Sequence, residues 1–203
     1  EGRSVKSVGE IKGLSPHFKL NLLSALLAAR VAGRTFEELF HRVMTLPVIS
    51  FRQEIILNRK DIVVINDTTA TSPDATITAL ERFSPEKDRL FLITGGTDKK
   101  LEFGNLAKKI KENVSPQRLF LIQGSATQVL VKELDKLKYF RQTKPQLFDN
   151  LKSIILGIKL SRASRKFILF SPASASFEKF KNEFDRGKQF NALARRFLGG
   201  SKD

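Results

Sequence analysis

Three segments of this chain combine small residues, hydroxyls and isolated charges in the way of loops that hold an anionic ligand. They are Asn66-Asp67-Thr68-Thr69-Ala70-Thr71-Ser72-Pro73-Asp74-Ala75, Gly95-Gly96-Thr97-Asp98-Lys99 and Ser171-Pro172-Ala173-Ser174-Ala175-Ser176-Phe177. Each follows an apolar run and precedes a helical pattern. In an open α/β sheet, loops at the carboxyl ends of strands line one crevice, so the three converge on a shared ligand. Lys99 sits just beyond two glycines that let the backbone turn tightly, where it can hold a carboxylate or phosphate as a point charge. It can equally be a surface lysine. Ser176 and Phe177 fall at the start of the last predicted helix, where free N–H groups and the dipole favour an anion; Ser174 or Ser176 can also simply cap that helix. Asp67 and Thr71 fit an Asx-turn and an N-cap as well as ligand contacts. With His17 and His41 as its only histidines, the chain offers no metal cluster and no Ser-His-Asp set. It also lacks G-x-x-x-x-G-K-[ST], so nothing in it cradles a triphosphate.

The elements that must position these loops are legible in the pattern. A loop from Glu1 to Pro16 leads to a helix over 17–31, with Leu20, Leu23, Leu27 and Val31 in one stripe. A second helix, Thr35 to Val43, carries a capping-box pattern in Thr35 and Glu38. After Pro47 the pattern turns to strands, Glu54 to Leu57 and Ile62 to Asn66, around the polar turn 58–61. Helix Pro73 to Phe83, strand Leu90 to Thr94, helix Phe103 to Val114, strand Arg118 to Gln123 and helix Ser125 to Lys136 follow. A single helix Gln146 to Leu160, strand Lys166 to Phe170 and helix Phe177 to Phe197 complete the chain. Short apolar strands between amphipathic helices predict an α/β fold, a Rossmann-like, mostly parallel sheet covered on both faces.

Composition narrows the class. The 203 residues suffice for one good core, and 41% hydrophobic content is that of a globular protein. Without cysteines or an apolar stretch of about 18 residues, disulfides, thiolate metal sites and membrane spans are disfavoured, and a cytoplasmic protein is expected. The chain opens on Glu1 rather than Met, so a leader can have preceded it. Its net charge of +15 favours anionic partners. From Lys138 to Lys166 eight basic residues face one acid, Asp149. That segment has no Arg/aromatic RNA motif, so a solvated face is the better reading than a nucleic-acid patch.

The segments, taken together and in order, resemble the D-glutamate-adding branch of the Mur ligases. That family carries an N-D-S-K-A-T-N-P-like stretch, then G-G-x-D-K-x-x-D-F, then S-P-A-x-A-S-F-D-x-F-K-N and R-G. Here Gly95 to Phe103, Ser171 to Asn182 and Arg186-Gly187 match the last three. His17-Phe18-Lys19-Leu20-Asn21 resembles H-N-x-x-N, and Phe51-Arg52-Gln53-Glu54 resembles H-R-x-E. The resemblance implies that Lys99 grips the α-carboxylate of D-glutamate, and that Ser176, the amides around it and Phe177 take the side-chain carboxylate. Thr71 would donate to a glutamate carboxylate and Phe184 would supply a nearby aromatic. On the nucleotide side Asn21 would read adenine, Arg52 would contact ribose or phosphates, and Asp67 would accept from ribose hydroxyls. Two positions depart from the family: Phe18 replaces the first Asn of H-N-x-x-N, and Thr69 replaces the lysine of N-D-S-K-A-T, removing one positive charge from the amino-acid site.

The resemblance further implies ATP as cosubstrate and Mg2+ with ligands upstream of this chain. UDP-N-acetylmuramoyl-L-alanine would be activated as an acyl phosphate and attacked by the amine of D-glutamate, in peptidoglycan synthesis. Residues 1–46 would be the tail of a central ATPase domain and 47–203 the C-terminal domain of a cytoplasmic monomer, with no catalytic residue assigned inside this chain. Two other classes stay open: a sister amide ligase of folylpolyglutamate type, and a non-enzymatic basic binding module.

Overall fold

The computed structural model describes residues 16–45, 49–141 and 143–200. Residues 1–15 of the expected leading loop, the side chain of His17 and the expected domain boundary after residue 46 lie outside the described residues. The chain divides into two compact units, Glu1–Val48 and Ile49–Asp203.

The first unit holds α1 (Pro16–Val31) and α2 (Phe36–Met44). Thr35 starts α2 as the sequence predicts: its Oγ1 accepts from Glu38 N at 3.2 Å and the Glu38 carboxylate accepts from Thr35 N at 3.0 Å. The stripe Leu20, Leu23, Leu27 and Val31 is exposed, and Leu22, just off it, is buried.

The second unit is a six-stranded sheet of β1 (Glu54–Asn58), β2 (Ile62–Asn66), β3 (Leu90–Thr94), β4 (Leu119–Ile122), β5 (Gln146–Phe148) and β6 (Lys166–Phe170). Its strand order is β1-β2-β6-β3-β4-β5. Only β1 runs antiparallel, paired to β2 across a polar turn; every other neighbouring pair is parallel. The helices are α3 (Pro73–Arg82), α4 (Gly104–Asn113), α5 (Ser125–Lys136), α6 (Leu151–Leu160) and α7 (Glu183–Leu198).

Strand alternation sorts the core into two layers. Leu90, Leu92, Leu119, Leu121, Phe167 and Leu169 face one side, packed with Ala79 and Leu80 of α3, Leu106 and Ile110 of α4, and Leu130 of α5. Phe91, Ile93, Phe120, Ile122, Ile168 and Phe170 face the other, against Ile154, Ile155 and Ile158 of α6 and Phe190 of α7. Both faces are covered, which is why the central strands read as continuous apolar runs.

Two expected elements differ. The segment 146–160 is not one helix: β5 pairs with β4, and α6 begins only after Asn150, whose side chain accepts from Ser153 N at 2.9 Å. A three-residue strand is too short to show a period of its own, so its apolar residues merge with the helix that follows. The last helix starts at Glu183, not Phe177, because Asn182 caps it by accepting from Asp185 N at 2.8 Å.

Candidate functional site

Because β2, β6, β3 and β4 are parallel, the loops after Asn66, Phe170, Thr94 and Ile122 emerge at one end of the sheet. Backbone bonds stitch them together. Gly95 N donates to Pro172 O at 2.9 Å, and Thr97 and Ala175 exchange a pair of bonds at 3.0 and 3.1 Å. Gly96 has φ +143°, and a Cβ there would lie 2.6 Å from Ala175 O and 2.7 Å from Ser174 Oγ, so this crossing requires glycine. Lys99 Nζ, exposed at the mouth, donates to Thr71 Oγ1 at 3.3 Å. Ser176 is 3% exposed, and its hydroxyl has no hydrogen-bond partner among the described residues. Two predicted carboxylate contacts are thus joined directly, and the third sits one residue beyond the Thr97–Ala175 bridge.

The loops rest on a buried cation that sequence reasoning saw only as part of an R-G motif. Arg186, on the first turns of α7, is 1% exposed. Its Nε donates to Thr68 Oγ1 at 2.9 Å, Nη2 to Thr68 O at 2.8 Å and Ser174 O at 3.2 Å, and Nη1 to Ala175 O at 3.1 Å and Ser174 O at 3.2 Å. One guanidinium fork therefore ties the loop after β2 to the loop after β6. Burial lowers its pKa to about 10, opposed by the charge of Glu183.

Asp67 does not stand open to a ribose. It is 3% exposed; Oδ1 accepts from Gln53 N at 3.1 Å and Oδ2 from the Ser171 hydroxyl at 2.9 Å. Burial pushes its pKa up to about 7, against the Ser171 and Gln53 hydrogen bonds and the charges of Arg52 and Arg82. Loss of water, rather than any neighbouring anion, is what holds the proton there. Arg52 is exposed near this carboxyl, between Phe51 and Gln53, whose left-handed backbones (φ 65° and 48°) kink the chain. The kink turns its neighbours onto the loop after β2. Phe51 O accepts from both Thr69 N at 3.1 Å and Thr69 Oγ1 at 2.8 Å. Thr69, standing where the family has lysine, thus spends its side chain on the backbone.

The remaining predicted residues are spread more widely. Phe184 is half exposed, its ring edge-on to Phe51 at 6.3 Å, and Phe177 is 69% exposed. Ser176 and Phe177 lie in a turned segment where Lys179 N and Phe180 N both donate to Ser176 O. They are therefore not at a helix N-terminus, and the dipole argument for an anion there does not apply; neither Ser174 nor Ser176 caps α7. Asn21 is exposed on α1, in the first unit. Among the described residues no group of three His, Cys, Asp or Glu side chains could hold a metal ion, so no Mg2+ ligand set is assigned to them. Of the expected nucleotide contacts in the second unit, Arg52 is exposed and Asp67 is not. No helix among the described residues is long and apolar enough to cross a membrane.

No family model matches the sequence. Relatives do. A UDP-N-acetylmuramoylalanine–D-glutamate ligase of Borreliella burgdorferi is 40% identical over 148 residues, 71% of this chain and 31% of the relative. The ligase of the same name from Borreliella afzelii is 33% identical over 178 residues, 87% of this chain and 38% of the relative. The chain belongs to the Mur ligase family. It spans about a third of the length of the curated relatives it matches. Solved structures agree on the fold. MurC, the UDP-N-acetylmuramate-alanine ligase of Thermotoga maritima, superposes with a TM-score of 0.64 at 15% identity, covering 93% of this chain and 39% of MurC. Escherichia coli FolC, solved with ADP, gives 0.56 at 15% identity, covering 89% of this chain and 40% of FolC. MurC and FolC share the architecture under different names, so the fold by itself does not fix the substrate.

Proposed function

We propose that this chain is the amino-acid-binding C-terminal part of an ATP-dependent, ADP-forming ligase that joins D-glutamate to UDP-N-acetylmuramoyl-L-alanine. The observation that carries the reading is the meeting of Lys99 with Thr71 across two loops, with the buried, unpartnered hydroxyl of Ser176 one residue beyond the Thr97–Ala175 bridge. A dicarboxylate needs a cation and hydroxyl donors at fixed separation, and these residues supply both from a rigid sheet end. Lys99 and Thr71 would hold the α-carboxylate, with Ser176 and the exposed rings of Phe177 and Phe184 toward the side chain. Arg52 would contact ATP, with Asp67 bracing the segment that carries it. Holding the amine close to an activated acyl group is the service such a domain gives. Relatives named for D-glutamate favour that amino acid over a folylpolyglutamate-type acceptor.

The test is Lys99→Ala in the full-length enzyme, with D-glutamate and L-glutamate as competing substrates. Losing a charge-assisted contact of roughly 1.5–3 kcal/mol should raise KM for D-glutamate by about one to two orders of magnitude. With Thr69, turned to Phe51 O, in place of the family's lysine, that cation is missing from the site, so the effect belongs at the upper end. A KM within about twofold of wild type, or a preference for L-glutamate, would overturn the assignment.

A further inference from the structure

We propose that Ser125 and Glu178 are positioning residues for the amino-acid site, a latch that fixes the loop carrying Lys99. The inference rests on the role just given to Lys99, but its parts lie on residues with no assigned task. Lys99 projects from an exposed loop whose next residue, Lys100, is left-handed (φ 60°). What holds that loop comes from two distant parts of the chain. Asp98 N donates to Ser125 Oγ at 2.9 Å. Ser125 Oγ in turn donates to the Glu178 carboxylate, which also accepts from Ser125 N at 3.1 Å. Glu178 closes the circuit by donating its own N–H to Thr97 Oγ1 at 2.9 Å. Residues 97 and 98, immediately before Lys99, are therefore both tied to a Ser–Glu pair spanning the start of α5 and the loop after β6.

The chemistry gives the pair a direction. A serine hydroxyl has one proton; the Glu178 carboxylate, an acceptor only, takes it, which leaves a serine lone pair for the Asp98 amide. Glycine at 124 makes the approach feasible, since a Cβ there would fall 2.3 Å from Gly96 O. The carboxylate also occupies the N-terminus of α5, a place that would otherwise attract a substrate carboxylate away from Lys99. The latch thus both aims the lysine and fills the competing anion position. Ser125 and Glu178 are exposed and outside both cores, so changing them leaves the fold's packing intact.

The experiment measures KM for D-glutamate, KM for ATP and kcat in the full-length enzyme for Ser125→Ala, Glu178→Ala, Glu178→Gln, Lys99→Ala and the double variant Lys99→Ala/Ser125→Ala. Amide hydrogen exchange at Asp98 is followed in wild type and Ser125→Ala. Losing one hydrogen bond in the latch should raise KM for D-glutamate about three- to tenfold, with kcat and KM for ATP within about twofold. Glu178→Gln, which keeps an acceptor, should fall between wild type and alanine. The double variant should be no worse than Lys99→Ala alone, because both changes act through one contact. The Asp98 amide should exchange about tenfold faster or more in Ser125→Ala. Unchanged exchange at Asp98 overturns the latch whatever the kinetics, and so does an unchanged KM in Ser125→Ala where Lys99→Ala raises it. Additive losses in the double variant also overturn it, since they would mean general loosening. An unchanged KM in Lys99→Ala overturns the underlying reading of the site as well.

Discussion

Replacing Asp67 by asparagine should flatten the pH dependence of stability between about pH 5 and pH 8. Burial raises the Asp67 pKa from 3.8 to about 7, and the hydrogen bonds from Ser171 and Gln53 offset that only in part. Between those two values the folded protein keeps a proton that the unfolded chain has released. The stability that this proton confers is fully present below the unfolded pKa of 3.8 and is lost as pH rises through about 7. A gap of about three pKa units corresponds to about 4 kcal/mol, and at 3% exposure no solvent screening reduces it. Asparagine carries no proton to lose. Its Oδ1 still accepts from Gln53 N, and its Nδ2 can donate to the Ser171 hydroxyl, which then turns toward Thr76 Oγ1, 2.8 Å away. The variant should match wild type below about pH 4, and its advantage should grow by about 3 kcal/mol between pH 5 and pH 8, toward about 4 kcal/mol in all. Urea unfolding followed by far-ultraviolet circular dichroism at several pH values gives the comparison, and His17 and His41 cancel because both proteins contain them. A difference between the two proteins that is the same at pH 5 and pH 8 would refute a buried, proton-holding carboxyl at this position.

Arg186→Met fills a similar volume but strands Thr68 O and Ser174 O without their donor, and should destabilise the second unit by about 3 kcal/mol or more, read as a shift in urea midpoint. A midpoint equal to that of wild type would mean that the loops hold without it. The 203-residue chain alone should form no amide from ATP, D-glutamate and UDP-N-acetylmuramoyl-L-alanine, since its sequence contains no triphosphate-cradling loop. Phosphate release that depends on D-glutamate in that mixture would contradict this.

The sheet was legible because its central strands are buried on both faces and read as uninterrupted apolar runs such as Leu90–Thr94. The loops were legible because strand ends in such a sheet share one crevice. What escaped depended on side chains choosing among local partners. Asn182 followed three residues later by Asp185, and Asn150 by Ser153, are cap patterns that would have moved two helix starts to their true places; the longer helical periodicity concealed them. Asp67 looked like an open acceptor because nothing local to it announces Gln53, fourteen positions away, or Ser171, more than a hundred away. The same distance hid the Arg186 fork, whose partners lie on loops far apart in sequence.

The division of the interior into two layers bears on how such a domain can diverge. The side chains of α3, α4 and α5 meet those of one sheet face, and the side chains of α6 and α7 meet those of the other. A substitution in one layer is felt by neighbours on its own side, with the hydrogen-bonded strands standing between it and the other layer. Compensation can then be found within a layer, one side at a time, while the strand ends that carry the loops stay where they are. A lineage can exchange much of its interior by such one-sided steps without moving the loops.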